Sequence, residues 1–254
     1  MKVTILGSGA SSGSPVIGQD YPPNNPKNNR SRASIFVEGS FTKVLVDCTP
    51  DLRLQCLQNG IKNLHGAIIT HCHADHIHGI DDLKSFAFIN KTPVNVYSNK
   101  ASITELEERF AYCFDAAPTE SGWLRPYMKG HIIEPLKPFT IGEFSILALQ
   151  QLHTKTMDSL GIKIGNFAYT TDVKTFPPES HEHLYGLDLW VVDCLKYEES
   201  KTHSNVEQTL RWIEKYKPKR AVLTHLSFNV DYDTLKSQLP SSVEPAFDGM
   251  VLNV

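Results

Sequence analysis

Three imidazoles and a carboxylate fall within six residues of this chain, His71-Cys72-His73-Ala74-Asp75-His76. On an extended backbone alternate side chains share a face, so His71 and His73 can reach one cation while Cys72 points the other way. Asp75 and His76 follow where the chain turns into a helix, and that change of direction lets them face a second cation beside the first. Imidazole nitrogen and carboxylate oxygen suit zinc, or a similar divalent ion such as manganese. Two ions per chain need more ligands than this motif supplies. His153, Asp172 and His225 are the further candidates. The expected arrangement has His71, His73 and His153 on one ion, Asp75, His76 and His225 on the other, and Asp172 bridging them.

Each candidate must be placed by the element that precedes it. Gly66–Thr70 reads as a short buried strand that delivers the motif at its C-terminal edge, where open α/β sheets build their sites. His153 follows the apolar run Phe144–Leu152, Asp172 follows Phe167–Thr171 and His225 follows Ala221–Thr224. Further strands are expected at Lys2–Leu6, Ser34–Glu38, Thr42–Asp47, Val94–Tyr97, Ser159–Ile164 and Leu187–Val192. Gly165-Asn166 marks a tight hairpin between two of the strands. Helices are expected over Pro50–Gln58, within Ile77–Asn90 after a turn, and at Ser102–Phe110 and Asn205–Tyr216. Strands in two runs, each leading to helices, point to two sheets packed face to face with helices outside. Asp47 has two readings: a cap for the helix after it, or a partner that orients a ligand imidazole.

Composition bounds the rest. A chain of 254 residues, 41% hydrophobic and 21% charged, suits one soluble α/β domain spanning residues 1–254. A net charge of −3 gives no support for a nucleic-acid or membrane-surface partner. Five cysteines without a C-x-x-C spacing imply no disulfide framework, so a cytoplasmic setting is expected. No run reaches transmembrane length, and no signal-peptide pattern opens the chain. Gly7-Ser8-Gly9-Ala10-Ser11-Ser12-Gly13 lacks the dinucleotide spacing, so its glycines are read as tight turns or a close backbone approach. Residues 18–33 read as an extended loop. The aromatic stretch 110–130, with Phe110, Trp123 and Tyr127, is either a small satellite core, a lid beside the pocket, or the contact of a homodimer.

His-x-His-x-Asp-His followed by separate His, Asp and His at strand ends resembles the metallo-β-lactamase superfamily, which implies an αββα sandwich. His73 to Leu83, Val46 to Arg53, Leu223 to Ser227 and Phe247 to Met250 resemble one branch more closely. That branch contains the phosphoribosyl cyclic phosphate phosphodiesterases of bacterial phosphonate degradation. The resemblance implies that His203, in Thr202-His203-Ser204-Asn205, protonates the leaving group, with Asp75 as its catalytic companion. By residue type alone His203 is equally an exposed helix start. Close relatives also hold a structural zinc through three cysteines and a histidine. The matching positions here are Gln19, Tyr21, Asn24 and Phe228. The loop over 18–33 must then be held another way.

The implied chemistry is hydrolysis of a small anionic phosphate ester, such as a phosphoribosyl 1,2-cyclic phosphate or a nucleotide-like diester. Two divalent ions, two carboxylates and a shared hydroxide carry about one net positive charge, which favours an anion. Metal-hydroxide attack with His203 as general acid completes the expected mechanism. Two other classes stay open. One is a different hydrolase of this fold (thioesterase, lactonase, β-lactamase or RNA 3′-end phosphodiesterase), and the other a non-enzymatic metal-binding protein. Arg30 and Arg32 are read either as solvated or as contacts for a substrate phosphate.

Overall fold

The computed structural model describes residues 1–115 and 126–254. The first sheet has seven strands: β1 (Lys2–Gly7), β2 (Ser34–Glu38), β3 (Lys43–Val46), β4 (Gly66–Ile68), β5 (Val94–Ser98), β6 (Met128–Ile132) and β14 (Val251–Asn253). Their spatial order is β14-β1-β2-β3-β4-β5-β6. The second sheet also has seven: β7 (Phe139–Ile141), β8 (Phe144–Leu152), β9 (Asp158–Ile164), β10 (Phe167–Thr170), β11 (Leu189–Asp193), β12 (Arg220–Thr224) and β13 (Val243–Pro245). Its order runs from β13 back to β7. Each sheet is antiparallel at one end and parallel at the other. β3 to β6 and β10 to β13 are the parallel blocks.

The apolar runs follow from burial on both strand faces. Val3 and Ile5, Ile35 and Val37, and Val44 and Val46 point between the sheets, where they meet Ile146, Ile162 and Val191. Leu6, Phe36 and Leu45 point outward under α1 (Leu52–Gln58), α2 (Ala74–Ile77), α3 (Lys84–Asn90), α4 (Lys100–Arg109) and α5 (Ala111–Phe114). Trp190, Val192 and Leu223 do the same on the second sheet, under α6 (Val206–Tyr216) and α7 (Tyr232–Gln238). The result is the expected helix–sheet–sheet–helix sandwich. Among the described residues, no helix is long and apolar enough to cross a membrane.

Gly165-Asn166 makes the tight hairpin, with Ile164 paired to Phe167 and Gly165 at φ 56°. Asn205 caps α6 by accepting from the Gln208 N–H at 3.0 Å. Strands β6, β13 and β14 and helix α7 were not anticipated. They are short or lie at sheet edges, where exposure breaks the apolar pattern. The expected aromatic stretch is only partly described: Phe110 and Tyr127 pack against the helix-covered core of the first sheet, whereas Trp123 lies outside the described residues.

The loop over 18–33 is more structured than an extended segment. It contains a 3₁₀ turn at Pro26–Asn28 and is tied to residues 227–233 by polar contacts. Arg30 is not solvated, and Arg32 is only partly so. Arg30 is buried against main-chain carbonyls, and Arg32 pairs with Asp51 at 3.1 Å.

Candidate metal centre

All seven expected ligands stand at one edge of the sandwich. His71 and His73 follow β4, and Asp75 and His76 lie on the one-turn helix α2 (Ala74–Ile77). His153, Asp172 and His225 follow β8, β10 and β12. The Leu160 N–H donates to the Thr70 carbonyl at 3.0 Å, joining the two sheets beside the site.

The ligand atoms converge in two groups. His71 Nε2 is 2.9 Å from His73 Nδ1, which is 3.2 Å from His153 Nε2. A tetrahedral zinc with bonds of about 2.0–2.1 Å has ligand-to-ligand edges of about 3.3 Å, so these atoms are spaced as one cation requires. In the second group His76 Nε2 lies 3.2 Å and His225 Nε2 3.6 Å from Asp75 Oδ2. Asp172 stands between the groups. Its Oδ1 is 3.8 Å from His71 Nε2 and 3.6 Å from His153 Nε2; its Oδ2 is 3.2 Å from His76 Nε2 and 3.5 Å from His225 Nε2. One carboxylate thus offers an oxygen to each group.

Hydrogen bonds fix which nitrogens carry protons. His153 Nδ1 lies 2.9 Å from the Thr202 carbonyl, which can only accept, so Nδ1 holds the proton and Nε2 presents a lone pair. His76 Nδ1 donates to Asp47 Oδ2 at 2.7 Å, again leaving Nε2 bare. Among the described residues, buried His76 Nε2 and His225 Nε2 have no hydrogen-bond partner. An unpaired polar atom inside a protein is costly, and a cation satisfies such atoms. The donor set fits zinc or a similar divalent ion.

Burial and the carboxylates pull the rings in opposite directions. Burial holds His71, His73 and His153 below the usual imidazole range, which keeps their rings neutral. Burial also opposes charge on His76, but Asp172, Asp47 and Asp75 outweigh it and raise that ring well above the usual value. Burial works against ionised Asp172 too, yet His225 and His76 hold it well below the carboxylate range.

Asp47 proves to be the orienting partner rather than a helix cap. Besides His76 it accepts the Thr70 N–H at 2.8 Å, whereas the N-cap position of α1 is Asp51, whose side chain makes no capping bond. Asp47, Asp172 and His225 all have positive φ, at 69°, 54° and 59°. That conformation is costly for residues with a β-carbon and clusters at functional sites.

Cys72 points away as expected, its thiol donating to the Ser102 carbonyl at 3.6 Å. His203 stands beside both groups, its ring stacked on His225 at 4.7 Å between centroids. Sequence reasoning passed over Asp193. This buried residue ends β11 and sits 3.3 Å from His203 Nδ1. His65, His131, His181 and His183 bond elsewhere, to Lys43, Asn95, Tyr216 and Glu182.

Residues 42–226 match the family model described as the beta-lactamase superfamily domain. Over 99% of its length the chain is 32% identical to a diphosphatase from the PhnP family, covering 96% of that chain with a TM-score of 0.90. Zinc-bound PqqB from Methylobacterium extorquens, at 17% identity, covers 100% of both chains with a TM-score of 0.80, a likeness of fold alone. An octanoyltransferase from Porphyromonas gingivalis is 29% identical over 98% of this chain, which spans about half (51%) of that protein. With the family model covering most of the chain and the sandwich matching throughout, this protein belongs to the metallo-β-lactamase superfamily, with a buried His/Asp cluster that could hold metal.

Proposed function

We propose that this chain is a dinuclear metal-dependent phosphodiesterase acting on a small anionic phosphate ester. The observation that carries the reading is the division of Asp172, with Oδ1 toward His71 and His153 and Oδ2 toward His76 and His225. In this reading His71, His73 and His153 hold one ion, Asp75, His76 and His225 hold the other, and Asp172 joins them. Divalent ions held there supply Lewis acidity and bring the ionisation of water down to about pH 7.

The remaining work falls to the chain. The neutral imidazoles leave the pair of ions a net positive charge, which draws an anionic substrate. His203, held protonated by Asp193, sits on the half-open side of the site, where His73 is also partly exposed. In this reading it gives its proton to a departing alkoxide, an effect of about a hundred- to ten-thousand-fold in rate. The likeness to a diphosphatase supports a phosphoryl substrate over a thioester or lactone. A cyclic ribose phosphate or nucleotide-like diester is the proposed substrate class.

The test compares leaving groups. His203→Ala should slow hydrolysis of a diester with a poor alkoxide leaving group, and should slow an aryl phosphodiester far less, because a phenolate departs without a proton. Metal content should be unchanged. Equal losses on the two substrates with metal retained would remove His203 from the mechanism. Turnover of a thioester or lactone in preference to every phosphodiester would overturn the substrate class.

A further inference from the structure

His225 leaves β12 at φ 59°, and the chain then reverses through Ser227–Val230, closed by the Val230 N–H donating to the Ser227 carbonyl at 3.1 Å. Leu226, directly after His225, is bridged to Gly9 through bonds with the Ser8 carbonyl and the Ala10 N–H, and beyond that bridge the segment is fixed by the turn. Arg30 reaches that turn from far away in sequence. It is 2% exposed. One terminal nitrogen donates to the Ser227 carbonyl at 3.3 Å, and the other to the Val230 carbonyl at 2.8 Å. The guanidinium therefore grips both the first and the last carbonyl of the turn.

The grip is itself anchored. Asn28 Oδ1 accepts from Arg30 at 2.8 Å and from the Tyr232 N–H at 2.8 Å, while its amide donates to Asp231 Oδ2 at 2.7 Å. The Arg30 backbone exchanges hydrogen bonds with Ser14 at 2.7 and 2.8 Å. Among the described residues no carboxylate forms an ion pair with Arg30, and its Nε finds no acceptor. Asp248 and Asp231 act on it only from a distance, and burying a guanidinium without a direct ion pair is expensive, so core filling alone does not explain this residue. Arg32, two positions on, is paired with Asp51 and takes no part.

We propose that Arg30 is a positioning residue for His225, its buried guanidinium fixing the Ser227–Val230 turn and thereby the place of the His225 ring at the second ion. The inference rests on the reading of His225 as a ligand. Groups that orient a ligand without touching the metal are worth about ten- to a hundredfold in affinity. A lysine keeps the charge but concentrates its donors on one nitrogen, which cannot span both carbonyls in the same way.

The test is zinc titration of metal-free protein against a chromophoric chelator, with His71→Ala and His225→Ala marking which dissociation constant belongs to which ion. Wild type should show two constants; binding of a single ion would overturn the ligand reading and this inference with it. Arg30→Met should raise the His225-linked constant about ten- to a hundredfold and leave the His71-linked constant unchanged. Arg30→Lys should fall between. Equal shifts in both constants, or none in folded protein, would overturn the positioning role. If Arg30→Met does not fold, Asn28→Ala tests the same point: a selective rise in the His225-linked constant supports it, and an unchanged constant overturns it.

Discussion

Asp193 Oδ1 stands 3.3 Å from His203 Nδ1, while Asp193 Oδ2 accepts the Ser204 N–H at 2.9 Å and the Ser204 hydroxyl at 3.0 Å. The carboxylate is locked by the residue next to His203, so it fixes the ring as well as its charge. Burial opposes the imidazolium, yet Asp193, then Asp172 and Asp75, raise His203 to about 9.

That shift has a signed consequence for metal-free protein. The folded value lies above the ordinary imidazole value of about 6.5. Stabilisation from the pair is therefore complete below about pH 6.5 and is lost as pH rises through about 9. Urea unfolding of wild type and Asp193→Asn should show a stability gap that is widest near pH 6 and shrinks towards pH 9.5. The change should be on the order of 3 kcal/mol at most. A gap independent of pH would contradict the pairing.

Asp47 gives a second prediction. Its carboxylate fixes the proton of His76 on Nδ1, so Asp47→Ala should let the ring turn and its tautomer change. Affinity for the ion assigned to His76 should fall about ten- to a hundredfold, read by chelator competition. Unchanged affinity would reduce Asp47 to a core polar group.

Gly79 gives a third. The Cys48 N–H donates to the His76 carbonyl at 2.7 Å and the Gly79 N–H donates to the Cys48 carbonyl at 2.9 Å, so the ligand helix lies directly on the segment after Asp47. A β-carbon at Gly79 would come within 1.8 Å of the Thr49 carbonyl oxygen. Gly79→Ala should cost about 1–3 kcal/mol and weaken metal binding as the two segments separate. Thermal melting with and without metal measures both effects. A variant of wild-type stability would contradict this packing.

The candidate ligands were legible because strands buried on both faces are apolar throughout, so a histidine or aspartate at the end of one stands out. Asp193 ends such a strand too and carried the same signal. It was missed because seven ligands already completed the set, and sequence alone does not separate a residue that holds metal from one that holds His203. Asp47 was legible as a choice between two roles, and only the position of His76 beside it decides. The burial of Arg30 had no sequence signature, because the carbonyls it meets lie about 200 residues away and backbone acceptors leave no pattern. Edge strands such as β13 and β14 were lost for the opposite reason: three residues give too little periodicity to read.

The central claim is that the two groups joined by Asp172 each hold an ion that the reaction needs. Elemental analysis of the purified protein, paired with turnover before and after chelation, tests it most directly. The expected result is close to two divalent ions per chain, loss of turnover on stripping and recovery on reloading, with Asp172→Ala failing to recover either. Full turnover of a phosphodiester by stripped protein would contradict it.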